Sequence, residues 1–403
     1  VEADPDPNFV DLPWYRPWLN HQIQSQSQRL LLALPTTKSD QDDDWNRYFL
    51  PLWNKVRELL LVPGPRTIDG ITDALVTQGL VSVTDHYEGY QSAKELVFAV
   101  LGWQTMLYKP ADIACATQGF HLLDELNGYR GDARVCLNQS PLSSKYELPT
   151  FLLGFGMMLP PRGYCAFGDA DDEKLLFDKT RVVVSKDLHA HVLTKVCGLK
   201  VQWVDSLSCH LEVDKHSGTL FIYRYPSFCV SSLQAVDTNE RRDSIIYSCG
   251  VERPGPVPWA SKDDIKALLQ EILLSYRLLF GQSSRSRKEF RRERPFSRMP
   301  REAQDHFLSR ICGKKRFNCP ITLVERDEYD LAGDFPHLQS RIVRLHNYAS
   351  SKKPRSIRQL WQDKRDSTAW LAFWSVLVFG SVSILLGLIQ TVFQVLQYFH
   401  EAK

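Results

Sequence analysis

From Ser367 to Phe399 the chain contains no Asp, Glu, Lys, Arg or His, an unbroken run of thirty-three residues without an ionisable charge. Nothing else in the sequence constrains the fold as strongly. About 20 apolar helical residues, rising about 1.5 Å each, cross the hydrocarbon of a bilayer. The strongest spanning window is Trp370 to Ile389, interrupted only by Gly380, Gly387, Ser375, Ser381 and Ser383, small residues whose polar groups a helix satisfies internally. Trp370, Phe373 and Trp374 crowd one end and Tyr398 and Phe399 the other, the places where amphipathic rings meet headgroups. A buried core helix would need a large folded part after it, and only His400, Glu401, Ala402 and Lys403 follow. The run therefore predicts a single C-terminal transmembrane helix, a tail anchor.

Basic residues near a span are retained on the cytosolic side. Lys352, Lys353, Arg355, Arg358, Lys364 and Arg365 precede the run, against Asp363 and Asp366, and Lys403 alone follows it. The large N-terminal part is expected in the cytosol, with the anchor in an intracellular membrane. No charged-then-apolar signal peptide opens the chain, where VEADPDPNF is acidic and broken by proline. The nine cysteines, odd in number, scattered and without a C-x-x-C pair, fit reduced thiols in the same compartment. Asn138-Gln139-Ser140 would then not be glycosylated.

With 403 residues, 43% hydrophobic and 24% charged, the part before the anchor is long enough for two or three regions with real cores. The patterning predicts an α+β fold. Residues 1–160 read as mainly helical: an opening helix around Trp14 and Trp18, a helix from Pro51 to the Pro63-Gly64-Pro65 stop, one capped by Thr67, and a central buried helix from Ser92 to Tyr108. That last stretch is too short and too closely bounded by Lys94, Glu95 and Lys109 to be a second span. Residues 161–253 change period: Arg181 to Ser185 is β-branched, Leu188 to Val196 fits a short helix, and strands are expected at Leu199–Val204, Cys209–Val213 and Thr219–Tyr225. The last two are joined by a loop ending in Gly218, and the three read as a small antiparallel meander with helix packed on it. Residues 254–366 begin with the stiff Pro254-to-Pro258 linker and a helix capped by Ser261 that ends before Gly281, followed by a basic tract and a juxtamembrane segment. Residues 367–399 are the anchor.

Several motifs resemble one group of proteins. Tyr329-Asp330-Leu331, Asp334-Phe335-Pro336-His337-Leu338, Lys353-Pro354-Arg355-Ser356, Leu360-Trp361, Asp363-Lys364-Arg365-Asp366 and Phe373-Trp374 are similar to the tail of a large group of uncharacterised fungal membrane-anchored proteins. Trp203-Val204-Asp205-Ser206-Leu207, His210-Leu211 and Tyr225-Pro226-Ser227-Phe228-Cys229 resemble the same group. The resemblance covers roughly the C-terminal half and implies the architecture and a fungal source. It brings no activity and no catalytic residue.

No metal or cofactor is expected. His189 and His191 share a face only in a strand, Cys209 and His210 are adjacent and so face opposite ways in one, and His216 and Cys197 complete no spacing. Gly154-Phe155-Gly156 lacks the third glycine of a dinucleotide loop and runs into Pro160, so it reads as an apolar turn. Gly168 to Glu173 lacks the ligand spacing of a calcium loop and reads as a solvated acidic loop. No Walker A, G-x-S-x-G or H-E-x-x-H pattern occurs.

Between Arg285 and Arg316, twelve Lys or Arg stand against four Asp or Glu, with Arg285, Arg287, Lys288, Arg291, Arg292, Arg294 and Arg298 inside fourteen residues. Such a tract is usually a solvated loop. In a membrane-anchored chain it is also held near anionic lipid, where each cation contributes about 1 kcal/mol. Nucleic acid is the weaker fit, because no stacking aromatics or groove helix accompany the charge. Within the anchor, Gly380, Ser383, Gly387 and Gln390 recur at steps of three and four and share one helical face, which suits a second copy or another membrane helix. The sequence thus reads as a cytosol-facing interaction or scaffold protein. The alternative is an enzyme whose site is assembled from dispersed residues.

Overall fold

The computed structural model describes residues 12–25, 33–35, 49–62, 64, 66–83, 88–111, 119–123, 136–163, 171–237, 244–253, 258–297, 299–352 and 367–401. The expected opening helix is α1 (Tyr15–Gln24), which buries Tyr15, Trp18 and Leu19. Proline in the first turn opens α2 (Leu50–Leu61), and Thr67 caps α3 (Ile68–Thr77) by accepting the Gly70 N–H at 2.9 Å. The next helix, α4 (Glu88–Thr105), is central: every residue from Glu95 to Tyr108 is buried. It is a core helix and not a span, as its charged boundaries predict.

The middle of the chain carries β1 (Phe120–His121) paired antiparallel with β2 (Asn138–Gln139), then α5 (Leu148–Leu153) and α6 (Asp171–Lys179). Residues 171–173 thus open a helix instead of continuing an acidic loop. The β-branched stretch forms β3 (Val182–Val184), and α7 (Ala190–Lys195) follows.

The three-stranded sheet departs from the expected meander. Of its strands β4 (Lys200–Val204), β5 (Val213–Asp214) and β6 (Thr219–Tyr223), β4 and β6 lie side by side and parallel, and only β5 and β6 are antiparallel. Parallel neighbours need a crossover, and the segment between β4 and β5 provides it. Leu207–Cys209 wind a 3-10 turn whose first N–H groups bond to the Met106 and Leu107 carbonyls at the end of α4, and Leu211 adopts φ 64°. Leu211 and Glu212 still bond to Phe221 of β6, but out of regular register, and only Val213 and Asp214 join the ladder, so the alternation read across Cys209 to Val213 is not a full strand. The hairpin loop does close on Gly218 at φ +65°.

After α8 (Pro226–Asp237), the predicted capping box opens α9 (Lys262–Tyr276): Ser261 Oγ accepts the Asp264 N–H and the Asp264 carboxylate accepts the Ser261 N–H. The helix does not stop at Tyr276 but widens into a π turn over Arg277–Gly281. Next come α10 (Ser284–Phe290), α11 (His306–Gly313) and β7 (Glu328–Asp330), which pairs antiparallel with β3. The series ends with α12 (Leu331–Asp334), α13 (Gln339–Ser351) and α14 (Ser367–Glu401). Buried apolar side chains from Leu12 to Ala349 form one contiguous cluster to which the described side chains of α14 contribute nothing. Most of the Gln/Ser-rich run, the Thr36-to-Asp44 loop, residues 168–170, most of the proline linker and the juxtamembrane residues 353–366 lie outside the described residues.

Candidate membrane-facing site

Thirty-five residues of α14 would extend about 50 Å at the usual rise, well beyond the ~30 Å hydrocarbon core. Its segment Leu371–Tyr398 is apolar enough to cross a membrane, and none of it is buried. Phe379, Ile384, Leu388 and Phe393 are all more than 60% exposed, an apolar surface that water does not tolerate over such a length. The hydroxyls inside it are already satisfied: Ser375, Ser381, Ser383 and Thr391 donate to the carbonyls of Leu371, Leu377, Phe379 and Gly387 at 2.7–2.9 Å. A Cβ at Gly380 or Gly387 would meet nothing within 4 Å. The face of Gly380, Ser383, Gly387 and Gln390 is therefore open to close approach by another helix, and Ser383 has no proton left to offer it.

The basic tract is folded, not a loose loop. Phe290 is buried against Phe280 and Trp203, with ring centroids 5.7 and 5.9 Å away, and Phe296 packs on Tyr225 at 5.6 Å. Two buried groups fix the surrounding elements. Asp305 caps α11 by accepting the Phe307 N–H at 2.8 Å, and its other oxygen accepts the Ser227 N–H of α8 at 2.8 Å. Burial pushes this carboxyl up to about 6 against the pull of those N–H groups. Arg277, 1% exposed, donates to the carbonyls of Ile311, Lys314 and Lys315 and to the Glu325 carboxylate at 2.6–2.9 Å. Gly281 makes this possible, since a Cβ there would lie 2.4 Å from the guanidinium carbon.

On this scaffold Arg285, Lys288, Arg291, Arg292 and Arg294 are exposed, as are Lys314, Lys315 and Arg316. Arg291 reaches the Gly313 carbonyl at 3.5 Å, so the two ends of the tract meet where α10 packs on α11. Arg287 instead serves the fold, donating to the carbonyls of Gly281 and Gln282. Arg292 is paired with Glu289 at 2.9 Å, and Lys195 reaches the same carboxylate at 3.0 Å. Arg298 lies outside the described residues.

The other sequence candidates scatter. His189 and His191 flank the start of α7 with ring centroids 6.0 Å apart, both held near 4 mainly by burial, and His191 bonds to Ser286. Among the described residues no cluster of three His, Cys, Asp or Glu side chains is placed to hold a metal. His210 and Ser275 are 2.7 Å apart and fully buried, a spacing that would suit a base and its nucleophile. The hydrogen bonds run the wrong way for that. His210 Nδ1 accepts the Tyr223 N–H, so Nε2 carries the proton and donates to Ser275 Oγ, which donates onward to the Ile272 carbonyl. Gly154 to Gly156 form the expected apolar turn, with Phe155 buried beneath it.

Sequence reading missed the buried ionic groups. Glu271 accepts the N–H groups of His337 and Leu338 at 2.8–3.0 Å, capping α13 from a distance, while burial pushes it up to about 8. Glu212 pairs with Arg341 at 3.0 Å and Arg344 at 3.5 Å, and Asp205 with Arg224 at 2.7 Å. A carboxylate inside a helical apolar pattern, as Glu271 is in α9, is the one local sign of such groups. Compared with known protein families, curated proteins and solved structures, the chain matches none of them.

Proposed function

We propose that this is a membrane-anchored interaction or scaffold protein: α14 holds it in an intracellular membrane, the folded part lies in the cytosol, and the cationic face of α10 and α11 rests against anionic lipid. The observation that carries the reading is α14 itself, an apolar helix with none of its Leu371–Tyr398 segment buried. The cation excess before Ser367 supports the orientation. A scaffold is favoured over an enzyme because the shifted acids Glu271 and Asp305 are engaged in helix caps and His210 in core hydrogen bonds. Lipid is favoured over nucleic acid because Phe290 and Phe296 pack inward and are not presented for base stacking. Membership of the fungal membrane-anchored group, and pairing of the anchor with a second copy or another membrane protein, belong to the same proposal.

Among the described residues the core includes none beyond Ala349, so residues 1–352 are the fragment for the test. Replacing Arg291, Arg292 and Arg294 by Gln is expected to weaken its binding to phosphatidylserine vesicles by about two orders of magnitude, from about 1 kcal/mol per cation. Binding to neutral vesicles stays unchanged. Equal binding of parent and variant to anionic vesicles would refute the lipid contact.

A further inference from the structure

The loop after α10 reads Arg292-Glu293-Arg294-Pro295-Phe296-Ser297, the one place in the chain where a Ser or Thr has arginine both three and five residues before it. Two contacts tie this loop to the fold: Phe296 packs on Tyr225, and the Pro295 carbonyl accepts from Arg224 Nη1 at 2.8 Å. Ser297 is exposed, and among the described residues its hydroxyl has no hydrogen-bond partner. Its N–H closes a turn by donating to the Arg294 carbonyl at 3.1 Å. The nearby serines differ. Ser283 accepts the Ser286 N–H where it caps α10, Ser286 is buried against His191, and Ser284 is exposed but has no arginine in the five residues before it. Arg294 is exposed and has no ion pair among the described residues. The Arg292 side chain is 71% exposed and meets Glu289 at 2.9 Å, a surface pair of little strength that another carboxylate can displace.

Two arginines at fixed spacing before a free hydroxyl suit an arginine-directed protein kinase, whose substrate groove offers a carboxylate to each guanidinium fork. We propose that Ser297 is a phosphorylation site and that its phosphate releases the cationic face of α10 and α11 from anionic lipid. The inference rests on the lipid contact proposed above. In the step, Ser297 Oγ attacks the γ-phosphorus of ATP. An O–P bond forms, the bond to the bridging oxygen breaks, ADP leaves, and the serine proton passes to the kinase's base. Opening the loop for this gives up the hydrogen bond between Ser297 and Arg294 at the surface. The phosphate carries a charge of about −1.5 to −2. It enters a tract in which twelve Lys or Arg stand against four Asp or Glu, where it repels anionic headgroups and competes with them for Arg294 across the turn. Cancelling about two cations should weaken the lipid contact about 30-fold.

The test treats the full chain in nanodiscs with the catalytic domain of protein kinase B and magnesium ATP, maps phosphate by mass spectrometry, and follows hydrogen exchange of residues 284–317 in phosphatidylcholine and phosphatidylserine discs. Phosphate is expected on Ser297, entering about tenfold more slowly in Arg294→Lys, which keeps the charge but not the fork. Before treatment the segment exchanges more slowly in phosphatidylserine discs than in phosphatidylcholine discs, and phosphorylation removes most of that difference. In Ser297→Ala, an exposed position outside the core, kinase treatment leaves the difference in place. No phosphate on Ser297, or an equal rate in Arg294→Lys, would overturn the site whatever the lipid does. Phosphate on Ser297 with the exchange difference intact would overturn the release and leave the lipid contact standing. No difference between the discs before treatment would overturn the lipid contact and the release with it.

Discussion

Single buried charges hold distant parts of this protein together, and Glu271 is the one whose ionisation reaches into the neutral range. Its folded-state value is pushed by burial to about 8 from an ordinary 4.5, so between those values the folded state keeps a proton that the unfolded chain releases. The stability it contributes is full below the unfolded value and is lost as pH rises through about 8. Asp305 acts in the same direction but is spent by about 6. His189 and His191, near 4, and His210, near 3, act oppositely: their contribution is full above 6.5 and lost as pH falls through those lower values. Of these groups only Glu271 still titrates between pH 6.5 and 8. Denaturation of the parent should show stability falling across that window, by at most about 1.4 kcal/mol per pH unit. Glu271→Gln, which retains a carbonyl for the His337 and Leu338 N–H groups, should flatten the slope. An unchanged slope in the variant would place the titration elsewhere.

Among the elements, α14 makes the most specific prediction. Ser383 returns its hydroxyl to Phe379 at 2.8 Å, so in the proposed pairing the Gly380-Ser383-Gly387 face would attract another helix by close backbone approach, with Gln390 left to supply hydrogen bonding. Gly387→Leu should weaken association of the isolated segment in a membrane two-hybrid assay about 3- to 30-fold, the span implied by ~0.6 to ~2 kcal/mol. Leu386→Ile, on a neighbouring face, should not. Parental association by both would make α14 a lone helix. The elements legible in the sequence were those whose signals are local: Thr67 capping α3, the Ser261–Asp264 box of α9, the charged limits of α4, and the anchor. The parallel pairing of β4 with β6 was not legible, because it depends on Leu207 and Ser208 bonding to the end of α4, a hundred residues earlier in the chain. The basic tract looked like a loop because its order comes from Arg277 and Asp305, whose partners in Lys314, Lys315 and Ser227 no local pattern announces.

Across the whole molecule, the buried core and the exposed apolar helix are separate. The core from Leu12 to Ala349 closes on itself, and α14 leaves its apolar side chains uncovered. The cationic face of α10 and α11 and the cations before Ser367 both precede α14, in the part of the chain proposed to lie in the cytosol. The candidate site was therefore only half legible: its membrane part in composition alone, and its geometry only once Arg291 was seen to meet Gly313. The most direct test is protease digestion of sealed vesicles carrying the full chain with an N-terminal epitope, beside a variant lacking residues 367–403. The proposed topology predicts that the full chain stays with the vesicles through carbonate extraction, that protease added outside destroys the epitope, and that the truncated chain is soluble. An epitope protected until detergent is added, or a truncated chain that still resists carbonate, would contradict it.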